Sequence, residues 1–445
     1  MGRGRNTLIL FLVLVALGAY IYFVERKREP ATEQAEAKQK VFQVESGKIE
    51  ELEVRSSSGE ATSLRKDGDK WKVVAPVTTE ADEAEVSGIT SNLASLEIQR
   101  IVEEQPKDVS GYGLDTPRAL VAFRAAGEKA MKRLALGGKT PTGGDMYARV
   151  EGQPRVFLVS GFLDGTLDKS TFDLRSKAVL KVDREKVDGI EVASDAQTLR
   201  FAKAKDTWRI TAPVEALADY GLVEGLLGRV ANGQMKSLVA SDVPAAGLAQ
   251  YGLDKPQYTV TFAAGSARST FLVGKAAADG QVYAKDGSRE MVFTVEAPLV
   301  DDLKKAPGDF RLKDLFEFRT FTGSRFELTR GGTTTAFEKQ KGKDASAPEK
   351  WVQAQPKKDL DESKIVDFLS RFSNLRAESF VDALPAGATE VAQAKARSAD
   401  GKKEDAVTFF KAGEDVYATR PGEPGAAKVG PADFNDAVKL LDALK

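Results

Sequence analysis

The chain contains neither cysteine nor histidine. The first absence excludes disulfides, thiolate nucleophiles, Cys-based zinc sites and a lipid-modified N-terminal cysteine. The second removes the commonest general base, the commonest transition-metal ligand and the usual partner of a catalytic serine. Catalysis by carboxylates, Lys or Tyr stays open, as does binding of a hard cation by oxygen ligands. An excess of either charge is also missing. The 65 Lys and Arg face 66 Asp and Glu, for a net charge of −1. No basic footprint for nucleic acid results, and no long-range steering of either sign. These absences point away from an enzyme, and no catalytic residue, metal ligand or cofactor is expected.

What is present suits ordinary globular domains. Of 445 residues, 42% are hydrophobic and 29% charged, enough for two to four domains of about 100–200 residues. Residues Thr7–Val24, TLILFLVLVALGAYIYFV, run without a charge and would span about 27 Å as a helix. Tyr20 and Tyr22 fit an interfacial belt. A single membrane-spanning anchor is expected here. A cleaved signal peptide fits less well, since the apolar run continues past Ala19 and Leu17 is poor at a cleavage site. Arg26, Lys27 and Arg28 outnumber Arg3 and Arg5, so the basic residues alone favour a cytoplasmic body. Residues 25–40 read as a polar spacer.

Three tryptophans disclose a repeat. Trp71 lies in DKWKVVAPV, Trp208 in DTWRITAPV and Trp351 in EKWVQAQPK, and Pro76, Pro213 and Pro356 each follow five residues later. An alternating strand explains this, with Trp anchoring one face and Pro ending the ladder. A helix is expected after each strand. The three begin at Asp82, Asp219 and Asp361, read as N-caps, and extend to about Val102, Val239 and Val381. Val86, Ile89, Leu93 and their counterparts recur at helical spacing. Two copies then share a turn, Tyr112-Gly113-Leu114-Asp115 and Tyr251-Gly252-Leu253-Asp254, with alternating strands behind it. The third has LPAGATE instead and carries an insertion, QKGKDASAPE, expected as a surface loop.

The expected fold is α+β. An N-terminal tail with one transmembrane helix (1–24) and a polar linker (25–40) precede three tandem modules, 41–176, 177–312 and 313–445. Each has two or three strands, one long helix, about four more mostly antiparallel strands and a short closing helix near Arg175 or Arg311.

The motifs favour structure over chemistry. Gly138-Lys139-Thr140 lacks the earlier glycine and following helix of a phosphate loop, and its equivalent Val273-Gly274-Lys275 lies between strands, so a hairpin turn is expected. Asp115 and Asp254 stand before X-Pro, where Asp makes local side-chain-to-backbone turns. Tyr112 and Tyr251 would pack over those turns, with Gly113 and Gly252 supplying unusual backbone angles. The Trp and Pro positions are packing addresses. Lys304-Lys305, Lys357-Lys358 and Lys402-Lys403 read as solvated faces.

The apolar N-terminal run with its charged spacer, the W…AP strand, the YGLD turn and the LGxK…YAR hairpin together resemble the bacterial family called domain of unknown function 4340. The resemblance covers residues 1 to about 315, and the third copy more weakly. Members look like single-span proteins encoded beside ABC-transporter components of the gliding-motility auxiliary type. The resemblance implies an inner-membrane location with the body outside the cytoplasm, against the raw count of basic residues. It carries over no catalytic residue. The expected function is a membrane-anchored, non-enzymatic accessory or scaffold protein of the envelope. Its partners would be the membrane, through Thr7–Val24, and a transporter or envelope protein. A carboxylate-dependent glycan hydrolase and a lipid- or solute-binding protein are the alternatives.

Overall fold

The computed structural model describes residues 39–341, 349–399, 401 and 403–444. The chain forms two compact units, Met1–Lys177 and Ala178–Lys445.

The first unit holds one nine-stranded antiparallel sheet. Its strands are β1 (Ile49–Arg55), β2 (Ala61–Asp67), β3 (Lys70–Ala75), β4 (Thr79–Glu80), β5 (Arg100–Glu103), β6 (Ala119–Ala125), β7 (Lys132–Lys139), β8 (Asp145–Val150) and β9 (Val156–Ser160). The order is β4-β3-β2-β1-β6-β7-β8-β9-β5. Alternation sets the buried face: Leu52 and Val54 of β1 are buried between the less buried Glu51, Glu53 and Arg55, and a register shift between Ile49 and Glu51 keeps Ile49 buried as well. Helix α1 (Glu83–Ser95) covers that face with Val86, Ile89 and Leu93, all fully buried in the core that holds Trp71. The Asp82 carboxylate accepts from the amides of Ala84 and Glu85 and so satisfies two free donors of the first turn.

The second unit repeats the plan twice. Its first sheet contains β10 (Gly189–Ala193), β11 (Thr198–Ala204), β12 (Thr207–Ala212), β13 (Ala216–Leu217), β14 (Ser237–Ala240), β15 (Tyr258–Ala264), β16 (Ala267–Ala276), β17 (Gln281–Asp286) and β18 (Val292–Glu296). Their order, β13-β12-β11-β10-β15-β16-β17-β18-β14, is that of the first sheet with each strand renumbered. Helix α2 (Tyr220–Ala231) starts at the Asp219 cap, where Oδ1 accepts from the Leu222 amide at 3.0 Å. Asp219→Ala is expected to cost about 1 kcal/mol in urea unfolding; no measurable loss would show that the cap is idle.

The second sheet of this unit has β19 (Gly323–Arg330), β20 (Thr333–Gln340), β21 (Lys350–Gln355), β22 (Ala377–Val381), β23 (Thr389–Ser398), β24 (Glu404–Ala412), β25 (Asp415–Thr419) and β26 (Ala426–Val429). The order β21-β20-β19-β23-β24-β25-β26-β22 keeps the plan without the two-residue outer strand. Helix α3 (Glu362–Ser373) buries Ile365, Phe368 and Phe372 against it. Isolated bridges fix the same junction in each module: Lys40 with Glu97, Ala178 with Gln234 and Asp314 with Arg376. The incoming chain runs antiparallel to the segment just after the long helix.

The structure corrects the expected fold in four respects. It is built on three large antiparallel sheets of eight or nine strands, not on modules of six or seven. The helices end at Ser95, Ala231 and Ser373, several residues early, and the apolar residues beyond them form the edge strands β5, β14 and β22. A four- or five-residue edge strand following a helix continues its apolar run and imitates its spacing. β4 and β13 are too short to show a period. The third module also closes on a 13-residue helix, α4 (Pro431–Ala443), which buries Phe434, Ala437 and Leu441. The transmembrane helix expected at Thr7–Val24 lies outside the described residues. Among those described, no helix is long and apolar enough to cross a membrane, and the fold of the described residues contains no such element. Residues 342–348 of the QKGKDASAPE insertion are likewise outside them.

Candidate functional site

The repeated positions are taken up by packing. Trp71 on β3, Trp208 on β12 and Trp351 on β21 are 7%, 0% and 3% exposed. The main-chain carbonyls of Trp71 and Trp208 accept from Ala81 and Ala218 at 3.1 and 3.0 Å. Each of the three strands ends one residue before Pro76, Pro213 or Pro356, and all three X-Pro bonds are cis.

Trp208 also joins an electrostatic knot. The Glu224 carboxylate accepts from Trp208 Nε1 at 2.9 Å, from Lys203 Nζ at 2.8 Å and from Arg184 Nη2 at 3.1 Å. Burial pushes its pKa up, but these three hydrogen bonds and the Lys203 charge overcome that and hold it at about 2. The folded value lies below the ordinary glutamate value of 4.5, so the knot contributes fully above about pH 4.5. Its contribution fades as pH falls towards 2. Glu224→Gln is expected to lower stability at neutral pH and to flatten the acid limb of unfolding between those values. An unchanged acid limb would contradict the assignment.

The YGL turns explain the glycines once compared with a phosphate loop. Gly113 and Gly252 adopt φ of +67° and +68°. A Cβ on Gly137 would meet the Tyr112 carbonyl oxygen at 2.2 Å, and one on Gly274 would meet that of Tyr251 at 2.2 Å. Gly274 is therefore the counterpart of Gly137, not of Gly138, and both lie at bulges where β7 and β16 lose register. Gly274→Ala is expected to cost about 1–3 kcal/mol through backbone displacement, read by thermal unfolding; a neutral change would place the turn elsewhere. Tyr112 packs on Tyr147 and Tyr251 on Tyr283, with ring centroids 5.0 and 5.1 Å apart. Lys139 bonds Asp164 at 2.9 Å and holds no cradle. Asp115 and Asp254 are exposed. Among the described residues neither carboxylate closes the local turn the sequence suggested.

One cavity departs from this pattern. It has a volume of about 440 Å³ and lies in the third module. Glu317, Phe318 and Thr322 line it from the segment before β19, Ser398 and Ala399 from the end of β23, and Lys403 and Asp405 from the β24 side. Phe318 is 5% exposed and stacks edge-on against Trp351, centroids 5.9 Å apart. Its amide donates to Asp405 Oδ2 at 2.8 Å. Lys403 Nζ lies 2.6 Å from Glu317 Oε2. Burial is the main cause that raises the Asp405 pKa, and the nearby Glu317 charge adds to it; the amides of Phe318 and Glu317 and the charge of Arg420 oppose it.

The strand registers show what the other modules place there. Asp405 pairs with Ala396, Ser269 with Phe262 and Lys132 with Phe123. These partners in turn pair with Phe326, Ile190 and Leu52 of β19, β10 and β1. Asp405 thus stands where the earlier modules have Ser and Lys. The amides of Leu315, Val179 and Val41 make the same bond past the long helix, so two residues on Glu317 matches Lys181 and Gln43. Carboxylates replace neutral or cationic groups in the third module alone. No repeat motif marked these residues, and the Lys402-Lys403 pair reads as an ordinary solvated face. Aligning the three copies by strand register was the signal available. Among the described residues no group of three or more acidic side chains is placed to hold a metal ion.

A family model described as Domain of unknown function (DUF4340) matches residues 71–207 and 208–399. Both matches open on a repeat tryptophan, so the family unit starts inside one sheet and ends inside the next. No curated protein matches the chain. Among solved structures, a DNA polymerase sliding clamp from Pseudomonas aeruginosa with ligand is 10% identical, with a TM-score of 0.18 over 88% of this chain and 93% of that one. A putative DNA polymerase III beta subunit from Eubacterium rectale is 6% identical, with a TM-score of 0.17 over 90% and 94%. The DNA polymerase III subunit beta of Borrelia burgdorferi, in complex with a natural product, is 7% identical, with a TM-score of 0.15 over 90% and 94%. At those scores the likeness carries no argument about fold or function.

Proposed function

We propose that this chain, which belongs to the family described as domain of unknown function (DUF4340), is a non-enzymatic scaffold whose repeated modules bind a partner protein. The single observation that supports this reading is the use made of the repeated positions. Trp, Pro and the Asp caps recur in all three modules, and the Tyr-Gly turn in the first two, because they build the same core again, and a reaction centre needs different groups converging from different places. Serial copies suit a scaffold, since linked weak contacts gain from effective concentration.

The family resemblance supplies the partner in this proposal, an ABC-type transporter component of the bacterial envelope. Its test is purification of the tagged full chain from its native envelope in mild detergent after crosslinking. Stoichiometric recovery of transporter subunits is the expected result. Recovery of a crosslinked sample that is wholly monomeric would contradict it. Solute binding is a second reading, favoured by the cavity of about 440 Å³, which falls in the usual range for ligand sites.

A further inference from the structure

We propose that the cavity of the third module binds a small organic amine with an apolar body, its ammonium group set against Asp405. The inference goes beyond the scaffolding role and does not depend on it. It starts from the one place where the repeat is broken. The first two modules put Lys132 and Ser269 at the Asp405 position, and Gln43 and Lys181 at the Glu317 position. A core that only had to fold again had no need for this reversal of charge beside a cavity of about 440 Å³.

Charge then selects the ligand. Glu317 is neutralised by Lys403 at 2.6 Å. Asp405 accepts the Phe318 amide at 2.8 Å, and among the described residues no Lys or Arg forms an ion pair with it. Among the described lining residues, two carboxylates and one ammonium leave one negative charge in excess. A monocation offsets that excess; a neutral or anionic ligand leaves the half-buried Asp405 carboxylate with only the charge of Arg420, not bonded to it, to oppose its own. The ring of Phe318, the Ala399 methyl and the Thr322 side chain supply apolar surface beside that charge. An amine carrying a ring or short alkyl body matches both features.

The test is calorimetric titration of the full chain with phenethylamine and with 2-phenylethanol, which has the same body and no charge. Saturable binding of the amine is expected, weakened at least tenfold, or about 1.4 kcal/mol, both for the alcohol and for Asp405→Asn. Lys403→Met frees the Glu317 charge and is expected to tighten amine binding a few-fold. Thr322→Trp, a change on an exposed turn that fills the cavity and leaves Asp405 in place, should abolish binding even if Asp405→Asn fails to fold. Equal affinity for amine and alcohol, undiminished binding by Thr322→Trp, or no saturable binding by the folded wild-type chain would each overturn the proposal. So would turnover of an oligosaccharide that Asp405→Asn abolishes, which would make Glu317 and Asp405 the carboxylate pair of a hydrolase.

Discussion

Replacing Trp208 with alanine is expected to destabilise the Ala178–Lys445 unit by about 3–5 kcal/mol, among the largest effects of any single truncation in the chain. The side chain is fully buried, and its Nε1 donates to Glu224 at 2.9 Å. Truncation opens a cavity in a core whose Ile210, Val223 and Leu227 are all fully buried and which relaxes only in part. It also removes one of the three donors that stabilise the Glu224 charge. Urea unfolding measures the loss. Trp208→Phe keeps most of the packing and loses only the donor, so its cost should be well below that of alanine. A loss for Trp208→Ala of less than about 1 kcal/mol, the level of an average substitution, would mean that the tryptophan does not anchor this core.

Arg311→Met is expected to cost about 3 kcal/mol and to separate the unfolding of the two sheets of that unit. Arg311 ends the first of them, yet its guanidinium lies 3.2 Å from Glu423 Oε2 and 3.9 Å from the ring centroid of Phe380, both in the second. Arg311 and Glu423 side chains are only 8% and 9% exposed. Burial pushes the Arg311 pKa below its ordinary value, against the attraction of Glu423. Removing one member of a buried pair leaves the other charge poorly compensated, which typically costs 3–5 kcal/mol. Arg420, 2.8 Å from Glu423, keeps the expected loss at the low end. The backbone ties of the junction remain, with Leu312 donating to Leu217 and Leu315 to Leu375. Differential scanning calorimetry should therefore show one transition becoming two. A single transition at unchanged temperature would contradict the coupling.

The repeat, the succession of its main strands along the chain and the start of each long helix were legible because they rest on strong local signals. Trp on an alternating strand, Pro at its end and Asp before a helical stripe each specify a backbone state. The ends of the helices were not legible. Leu96 and Ile98 continue the apolar run of α1 but are buried beyond its C-terminus, and only tertiary pairing with β9 turns Arg100–Glu103 into a strand. The role of Gly137 and Gly274 was hidden for a related reason. It depends on carbonyl oxygens more than twenty residues away in sequence. The cavity was the least legible feature. Glu317 and Asp405 are ordinary charged residues in a chain rich in them, and only strand register identifies them as departures from the repeat.

The central claim is that one core plan is used three times, with Trp71, Trp208 and Trp351 in equivalent buried places. It is tested most directly by acrylamide quenching of three variants, each retaining one tryptophan and carrying Phe at the other two. The account predicts blue-shifted emission and uniformly low quenching for all three, in keeping with exposures of 7%, 0% and 3%. A tryptophan quenched in the folded protein as readily as in urea would contradict it.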